Sequence, residues 1–319
     1  MDVISAGIVI ADCVARPVTR APQPGQLELV EEIGLHAGGS AVNTGAALAR
    51  LGLDVALVGR VGRDGFGEYL DGAARSLSLD TRFLARSDAA TSATLVHVDA
   101  RGERSFLHAV GANAALSAAD VPVNALAAEG ARALHVAGYF VLPGLEPDVP
   151  ALFRQASGLG LLTSLDTVWD ATGHWERVRA ALPFTDVFCP GLGEGQRITG
   201  RDAPADVLNA LLELGVRRVA AVKMGEDGAL LGQPDGTRLH VAAASVVAVD
   251  GTGAGDAFIG GLLAGLLAGD DLARAGQLGC AAGALCVGVV GATAGLRDHA
   301  ATRALADTLT VTPTQGVPT

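Results

Sequence analysis

Short apolar runs alternate along most of the chain with longer amphipathic or alanine-rich segments. The predicted strands are Val3–Ile10, Val55–Val58, Ala133–Ala137, Leu161–Leu165, Val187–Cys189 and Val219–Val222, and the predicted helices are Ala41–Leu51, Gly67–Leu77, Val149–Ser157, Ala203–Leu214 and Ala254–Leu267. This alternation predicts an α/β fold in which a parallel sheet lies between two layers of helices. In such folds ligands bind at the carboxyl ends of the strands.

Two segments do not follow this alternation. Arg16–His36 contains prolines and then the alternating run "LELVEEIGLH", and Thr91–Ala109 contains two period-two runs around the turn "DARGE". The second pattern is typical of a β-hairpin. We expect both segments to form a small β appendage over the ligand crevice. The final stretch, "TLTVTPTQGVPT", has the composition of a frayed tail.

Composition excludes several classes of function. Half of the 319 residues are apolar and only 18% are charged, so a large buried core is expected. The net charge of −11 and the lack of a Lys/Arg cluster argue against binding to nucleic acid. The N-terminus lacks the basic segment of a signal peptide, which favours a cytoplasmic protein. The four cysteines, at positions 13, 189, 280 and 286, are scattered along the chain and do not have the spacing of metal ligands.

One uncharged stretch, Ala275–Leu296, is long enough to span a bilayer. It consists mainly of alanine and glycine, and it contains Gln277. Small residues suit a close contact between helices inside a soluble domain. The stretch is therefore predicted to be a buried core helix, and no association with membrane is expected.

The strongest chemical signal is Asp250–Ala257, "DGTGAGDA", which directly precedes an apolar helix. The backbone N–H groups of Gly253, Ala254 and Gly255 and the helix dipole can stabilise developing negative charge. Asp256 can then accept a proton from a hydroxyl group. The alternative is that Asp256 only complements the positive end of the helix.

Two further glycine-rich turns adjoin predicted elements: one precedes the helix that begins at Ala41, and the other follows the strand that ends at Val222. In Ala37–Gly52, "AGGSAVNTGAALARLG", Ser40 and Asn43 lie in the first turn of a helix, where they can bind sugar hydroxyls. Simple N-capping by Ser40 is the alternative. The turn "VKMGEDG", Val222–Gly228, suits the edge of a nucleotide, although many strand corners have this pattern. The P-loop, the GxSxG elbow and the HExxH zinc motif are absent from the sequence.

Taken in order, these motifs resemble the two signatures of the ribokinase-like (PfkB) carbohydrate kinases. The similarity extends over residues 2–300 and includes "VGRVGRDGFG" and "GANAALS". It implies a three-layer α/β/α sandwich with a mainly parallel central sheet and a small β-sheet lid. The kinase domain would cover residues 1–310, with lid segments at about 12–37 and 91–112, and residues 311–319 would form a C-terminal tail. The implied reaction is ATP-dependent transfer of the γ-phosphoryl group to a primary alcohol of a sugar, with Mg²⁺ bound.

The resemblance also implies roles for individual residues. Asp256 matches the catalytic base, and Gly253, Ala254 and Gly255 match the anion hole. The sugar-binding positions are Asp12, Gly38, Gly39, Ser40 and Asn43. The nucleotide-binding positions are Lys223, Gly225, Gly228, Thr252 and Cys280. Glu194 matches a residue that holds Mg²⁺ through water, Asp250 and Thr252 match a site for a monovalent cation such as K⁺, and the lid matches a homodimer contact.

The chain departs from the family pattern at three places. Gly191 in "PGLGE" replaces the asparagine of the family's "PNxxE". Ser40 stands where ribokinase has a lysine, and Gly138 and Tyr139 stand where ribokinase has a sugar-binding glutamate. Strict specificity for ribose is therefore not expected, and the leading interpretation is a kinase of ribokinase or fructokinase type acting on a monosaccharide.

Three alternatives remain open. A nucleoside kinase of the same fold would need an aromatic clamp, for which Phe106, Phe83 and Tyr139 are candidates. A phosphosugar kinase would need additional cations, for which Arg101 and Arg104 are candidates, although their positions are typical of charges in the lid turn. A catalytically silent sugar- or nucleotide-binding regulator would have no need of Asp256. In "SLDTVWDATGHW", Asp166 ends a predicted strand and Trp169 could line the nucleotide crevice, or both could be ordinary structural residues.

Overall fold

The computed structural model describes residues 1–20, 22–101 and 103–314. The strands within them are β1 Val3–Gly7, β2 Ile10–Arg16, β3 Glu32–Gly38, β4 Val55–Gly62, β5 Leu79–Ser87, β6 Ala93–Val98, β7 Arg104–Ala109, β8 Ala133–Ala137, β9 Leu162–Asp166, β10 Val187–Phe188, β11 Val219–Lys223, β12 Ala229–Gly232, β13 Arg238–Val241 and β14 Val311–Pro313. The α-helices are α1 Ser40–Arg50, α2 Gly65–Ser76, α3 Val123–Ala128, α4 Val149–Gly158, α5 Leu192–Thr199, α6 Pro204–Glu213, α7 Ala254–Ala268, α8 Leu272–Cys286 and α9 His299–Ala306.

The larger of the two sheets has ten strands in the order β14-β13-β12-β11-β10-β9-β8-β1-β4-β5. The strands from β5 to β11 are parallel to their neighbours, and β12, β13 and β14 extend the sheet in antiparallel fashion. The predicted α/β class with a mainly parallel sheet is therefore confirmed. The carboxyl ends of the parallel strands share one edge of the sheet, where a ligand site is expected.

Both faces of the sheet are covered by helices. Along β1, Val3 contacts the core on one face and Ile4 the core on the other, and Leu57 and Val58 alternate in the same way on β4. Residues of α1, α2, α7, α8 and α9 belong to the first core, and residues of α3, α4, α5 and α6 belong to the second. Burial on both faces explains why the parallel strands β1, β4, β8 and β11 are mainly apolar.

The uncharged stretch from Ala275 forms part of α8, which packs against α7. An ideal Cβ atom on Gly261 of α7 would lie 2.5 Å from the Leu278 carbonyl oxygen of α8, so only glycine permits this backbone approach. The prediction of a core helix is confirmed for the part of the stretch up to Cys286, where α8 ends. Among the described residues, no helix is both long enough and apolar enough to span a bilayer.

The second sheet has four strands in the order β3-β2-β6-β7, and we call it the lid. The hairpin expected around "DARGE" is the antiparallel pair β6–β7, whose turn residue Gly102 lies outside the described residues. The prediction of a single strand over Val3–Ile10 was wrong, because β1 ends at Gly7 and β2 begins at Ile10. The chain leaves the large sheet after Gly7, whose positive φ of 152° and close approach to the Ala137 carbonyl oxygen exclude a side chain, and it enters the lid at Ile10.

The boundaries of the lid and the tail also differ from expectation. The lid strands extend over Ile10–Arg16 and Glu32–Gly38, rather than starting near residue 12 and ending at residue 37. The tail predicted for residues 311–319 was wrong in its first part, because Val311–Pro313 pairs with β13 as an edge strand. Proline is acceptable at such an edge because no neighbour needs its missing N–H group. Residues 315–319 lie outside the described residues.

Candidate active site

The N-termini of α1 and α7 meet above the carboxyl ends of the parallel strands. Asn43, in the first turn of α1, donates a hydrogen bond of 2.8 Å from Nδ2 to Oδ2 of Asp256 in the first turn of α7. Thr44 Oγ1 donates to the Asp256 carbonyl oxygen at 3.3 Å. The two glycine-rich motifs, which the sequence separates widely, therefore form one site.

The turn before α7 depends on a glycine. Gly253 precedes the helix with φ 77° and ψ −2°, in the left-handed region that favours glycine. An ideal Cβ atom at this position would lie 2.6 Å from the Ala292 carbonyl oxygen, so both conformation and space exclude a side chain. The first N–H groups of α7 have no partners within the helix, as at any helix N-terminus, and the Ala254 N–H makes only a long contact of 3.4 Å with the Gly251 carbonyl oxygen.

Asp256 borders a cavity of about 820 Å³ between the lid and the large sheet. Burial raises the pKa of Asp256 above its usual value, whereas Asn43, the Lys223 charge and Ser40 act to lower it. A carboxylate with a raised pKa accepts a proton more readily at neutral pH. Three predicted sugar-binding residues, Gly39, Ser40 and Asn43, line the same cavity.

The inner face of the lid carries alternate residues of its strands, and they form three rows across the sheet. A polar row contains His36, Asp12, Thr94 and His108; an apolar row contains Val14, Val96 and Phe106; and a third row contains Arg16, Val98 and Arg104. All of these side chains line the cavity. The inner face of the lid therefore presents polar, apolar and cationic surfaces to the same cavity.

Asp12 belongs to β2 and lies in the polar row, opposite His36 of β3. The strand β3 leads directly into α1. Burial raises the pKa of Asp12 to about 6, although hydrogen bonding to Thr94 and the charges of His36 and Arg104 act to lower it. Gly38 provides the space for this carboxylate, because an ideal Cβ atom there would lie within 2.0 Å of Asp12 Oδ2. The structure therefore places Asp12, Gly38, Ser40 and Asn43 around one end of the cavity.

A charged cluster lies beside the N-terminus of α7. The ammonium group of Lys223, at the end of β11, donates to Asp166 Oδ1 at the end of β9, with an N–O distance of 3.4 Å. An ideal Cβ atom on Gly255 would lie 3.0 Å from Lys223 Nζ. Lys223 was predicted at a nucleotide-binding turn, and its ammonium group in fact lies next to the predicted anion hole.

Burial raises the pKa of Asp166 to about 7, the Lys223 charge acts to lower it, and the charges of Asp256 and Glu194 act to raise it further. Glu194 Oε2 accepts hydrogen bonds from the Gly191 backbone N–H at 3.0 Å and from Thr167 Oγ1 at 3.3 Å. Gly191, which replaces the family's asparagine, therefore contacts Glu194 through its backbone.

The described residues contain no group of three or more His, Cys, Asp or Glu side chains arranged to hold a metal ion directly. Magnesium sites that serve nucleotides commonly use one or two carboxylates together with water and phosphate oxygens. Asp166 and Glu194 supply oxygen donors of this type beside Lys223, so the donor set fits Mg²⁺.

Of the remaining predicted positions, Asp250 and Thr252 line the cavity at the turn before α7, and Gly225, Gly228 and Cys280 do not line it. Asp250 accepts hydrogen bonds from the backbone N–H groups of Thr252 and Gly291 at 2.7 and 2.8 Å. Gly225 and Gly228 belong to the turn between β11 and β12. Cys280 is buried in α8, where its Sγ lies 3.8 Å from the Val241 carbonyl oxygen, and it does not line the cavity.

Two residues contribute more than sequence reasoning indicated. Asp166, considered an ordinary strand end as one alternative, is the ion-pair partner of Lys223. Arg104, considered as a cation for a phosphosugar or as a charge of the lid turn, forms an ion pair with Asp250. Trp169, which the sequence analysis considered as a lining of the nucleotide crevice, lines the cavity under the lid, with its ring 5.0 Å from that of Trp175.

Known carbohydrate kinases are similar to this chain over most of its length. A family model described as pfkB family carbohydrate kinase matches residues 1–299. A fructokinase of Klebsiella pneumoniae is 33% identical over 72% of this chain and 77% of that protein. An ATP-dependent ribose-1-phosphate kinase of Halopiger xanaduensis is 32% identical over 91% of this chain and 93% of that protein. An E. coli structure assigned to ribokinase II, in complex with ATP and Mg²⁺, superposes with a TM-score of 0.83 at 25% identity, covering 96% of this chain and 99% of that one.

Proposed function

Because this chain belongs to the pfkB family of carbohydrate kinases, we propose that it transfers the γ-phosphoryl group of ATP to a hydroxymethyl group of a monosaccharide. The observation that carries the proposal is the hydrogen bond between Asn43 and Asp256. It joins the sugar-binding turn to the anion-hole turn, so that an acceptor hydroxyl and a phosphoryl group can meet at one carboxylate.

The proposed chemistry uses the residues of this site in three ways. Asn43 holds Oδ2 of Asp256, which leaves Oδ1 to accept the proton of the acceptor hydroxyl. The N–H groups of residues 253–255 and the dipole of α7 stabilise charge on the transferred phosphoryl group. Lys223 adds a fixed positive charge beside Gly255. The bond from phosphorus to the acceptor oxygen forms, the bond to the ADP oxygen breaks, and the proton goes to Asp256.

Mg²⁺, when bound with the nucleotide, would neutralise phosphate oxygens, and Asp166 and Glu194 are the residues proposed to hold it through water. Lys223 keeps Asp166 from repelling the phosphates as a free carboxylate would, because the two side chains are paired. The site thus combines oxygen donors for a cation with an ammonium group for the phosphoryl oxygens. Positioning and charge stabilisation are what phosphoryl transfer chiefly requires.

A nucleoside acceptor is the second candidate, and the apolar row of the lid favours it. Val14, Val96 and Phe106 line the cavity together with Trp169, which is 59% exposed. Such a surface suits a planar base attached to the sugar. Of the other rings considered, Tyr139 is buried and donates from its hydroxyl to the Arg177 carbonyl oxygen, so it does not contribute to a clamp.

The test is a panel of acceptors incubated with Mg-ATP. Release of ADP and the mass of the phosphorylated product are measured for pentoses, hexoses and nucleosides, with a chelator as the control for Mg²⁺. Turnover of free sugars supports the leading proposal, and turnover confined to nucleosides supports the second. If the protein binds ATP but turns over no acceptor, both are contradicted in favour of a regulator.

We further propose that the lid mediates a homodimer. The outer face of the lid exposes four large apolar side chains, Ile33, Leu35, Leu95 and Leu107, of which Ile33 is 73% exposed. A continuous apolar sheet face of this kind is typical of an interface between copies. Leu107→Glu should convert a dimer to a monomer in analytical ultracentrifugation, whereas Leu159→Glu, at an exposed leucine after α4, should not. A monomeric wild type would contradict the proposal.

A further inference from the structure

An ion pair connects the lid to the turn that precedes α7. Arg104 belongs to the third row of the lid's inner face, and its Nη2 donates to Oδ1 of Asp250. The Asp250 side chain is 5% exposed and that of Arg104 is 24% exposed. The contact therefore lies largely away from water, where the charge of each partner needs the other.

The carboxylate of Asp250 is already surrounded by donors. Oδ1 accepts from the Thr252 N–H and from Arg104, and Oδ2 accepts from the Gly291 N–H. A monovalent cation needs oxygen lone pairs directed towards it, and here N–H groups take three of the roughly four lone-pair directions of the carboxylate. The Thr252 hydroxyl oxygen is buried without a partner, but it is a single neutral oxygen, and the guanidinium group would repel a second cation. The cation site that the sequence resemblance implied at Asp250 and Thr252 thus does not fit the residues present.

The same carboxylate organises the anion-hole region. Its bond to Thr252 fixes the turn that leads to Gly253, and its bond to Gly291 fixes the segment whose Ala292 carbonyl contacts Gly253. Arg104 adds the lid to this arrangement. We propose that Arg104 is a positioning residue that supplies the counter-charge of Asp250, so that the turn before α7 is held in place by the lid and no monovalent cation is needed.

The kinetic part of this inference rests on the proposed kinase function, and the structural part does not. The test therefore has two readouts, thermal unfolding and the rate of ADP release. Both are measured in potassium chloride and in tetramethylammonium chloride at equal ionic strength, because tetramethylammonium is too large for a cation site. The variants are Arg104→Met, Arg104→Lys as the conservative rescue, and Arg101→Met as the control. Arg101 is 82% exposed and pairs with Asp99 in the turn of the hairpin.

We expect the wild type and Arg101→Met to have the same Tm and rate in both salts. Arg104→Met should unfold about 3 °C or more below the wild type in tetramethylammonium, and its kcat should fall by about tenfold or more. Potassium should restore part of both losses, because it can occupy the space of the guanidinium group. Arg104→Lys should lie between the wild type and Arg104→Met.

Two results would overturn the inference. One is a wild type whose Tm or rate falls in tetramethylammonium and recovers in potassium, since the site would then need the cation. The other is an Arg104→Met protein that matches the wild type in tetramethylammonium. If no acceptor is turned over, the proposed function fails while the Tm comparison still decides this inference.

Discussion

Replacing Gly253 by alanine should separate the stability of the α7 turn from its catalytic role, because the same helix offers a matched control. Gly253 precedes α7 and Gly269 follows it, and both are left-handed, with φ of 77° and 86°. An alanine in this conformation costs about 1 kcal/mol. A Cβ atom on Gly269 would contact nothing within 4 Å, so Gly269→Ala reports this backbone strain alone.

At Gly253 a second effect is added. The Cβ atom would lie 2.6 Å from the Ala292 carbonyl oxygen, and the two have to separate to at least 3.4 Å, the start of ordinary contact. Because the obstacle is backbone, the turn itself must move. A displacement of about 1 Å in a catalytic group can cost on the order of 10²-fold in rate. We therefore expect Gly253→Ala to lose about 2 kcal/mol of stability and about 10²-fold in kcat.

Urea unfolding followed by tryptophan fluorescence gives the stability, and ADP release with the acceptor found in the panel gives kcat. Gly269→Ala should lose about 1 kcal/mol and keep kcat within about twofold of the wild type. The reasoning is refuted if Gly253→Ala has the kcat of Gly269→Ala, since the N–H groups of the turn would then not act on the phosphoryl group.

Three further predictions concern the carboxylates and the helix packing. Asn43→Ala should lower kcat by about tenfold or more, because Asp256 loses its 2.8 Å donor; the surface variant Asn124→Ala is the control, and equal rates would contradict the role of Asn43. Asp12 has a pKa of about 6, so the acceptor KM should rise by about tenfold as pH falls from about 7 to 5 and this group protonates; Asp12→Asn should abolish that dependence, and an unchanged wild-type KM would argue against Asp12 as the hydroxyl acceptor. Gly261→Ala should destabilise by about 1–3 kcal/mol in urea, because its Cβ meets the Leu278 carbonyl oxygen at 2.5 Å. Gly72→Ala, on the open face of α2, should not destabilise, and a similar loss there would contradict the packing argument.

The sequence was sufficient to predict the parallel core of the fold. Strands buried on both faces are mainly apolar, and β1, β4, β8 and β11 have this pattern. The strand β5, "LDTRFLARS", was not predicted. It is an edge strand with several polar side chains, so its sequence lacks the apolar run of a central strand. The edge strand β14 is only three residues long and contains a proline, so its pairing with β13 depends on tertiary contacts that the local sequence does not encode.

The site was predictable where its chemistry is concentrated in local motifs. Asp256 and Asn43 each lie in a glycine-rich turn before a helix, and the structure joins them. The ion pair of Arg104 and Asp250 links residues 146 positions apart, and no local pattern marks Arg104 as more than a charge near a hairpin turn. The ion pair of Lys223 and Asp166 likewise forms only because β9, β10 and β11 are adjacent strands in the sheet.

The most direct test of the central claim is the kcat of Asp256→Asn, measured as phosphorylated acceptor formed, with Asp298→Asn at the N-cap of α9 as the control. The account predicts that kcat of Asp256→Asn falls by about 10²–10⁴-fold, while Kd for Mg-ATP and the unfolding midpoint stay near those of the wild type. Asp298→Asn should keep the wild-type kcat. An Asp256→Asn enzyme with kcat within about tenfold of the wild type would show that this carboxylate is not the base.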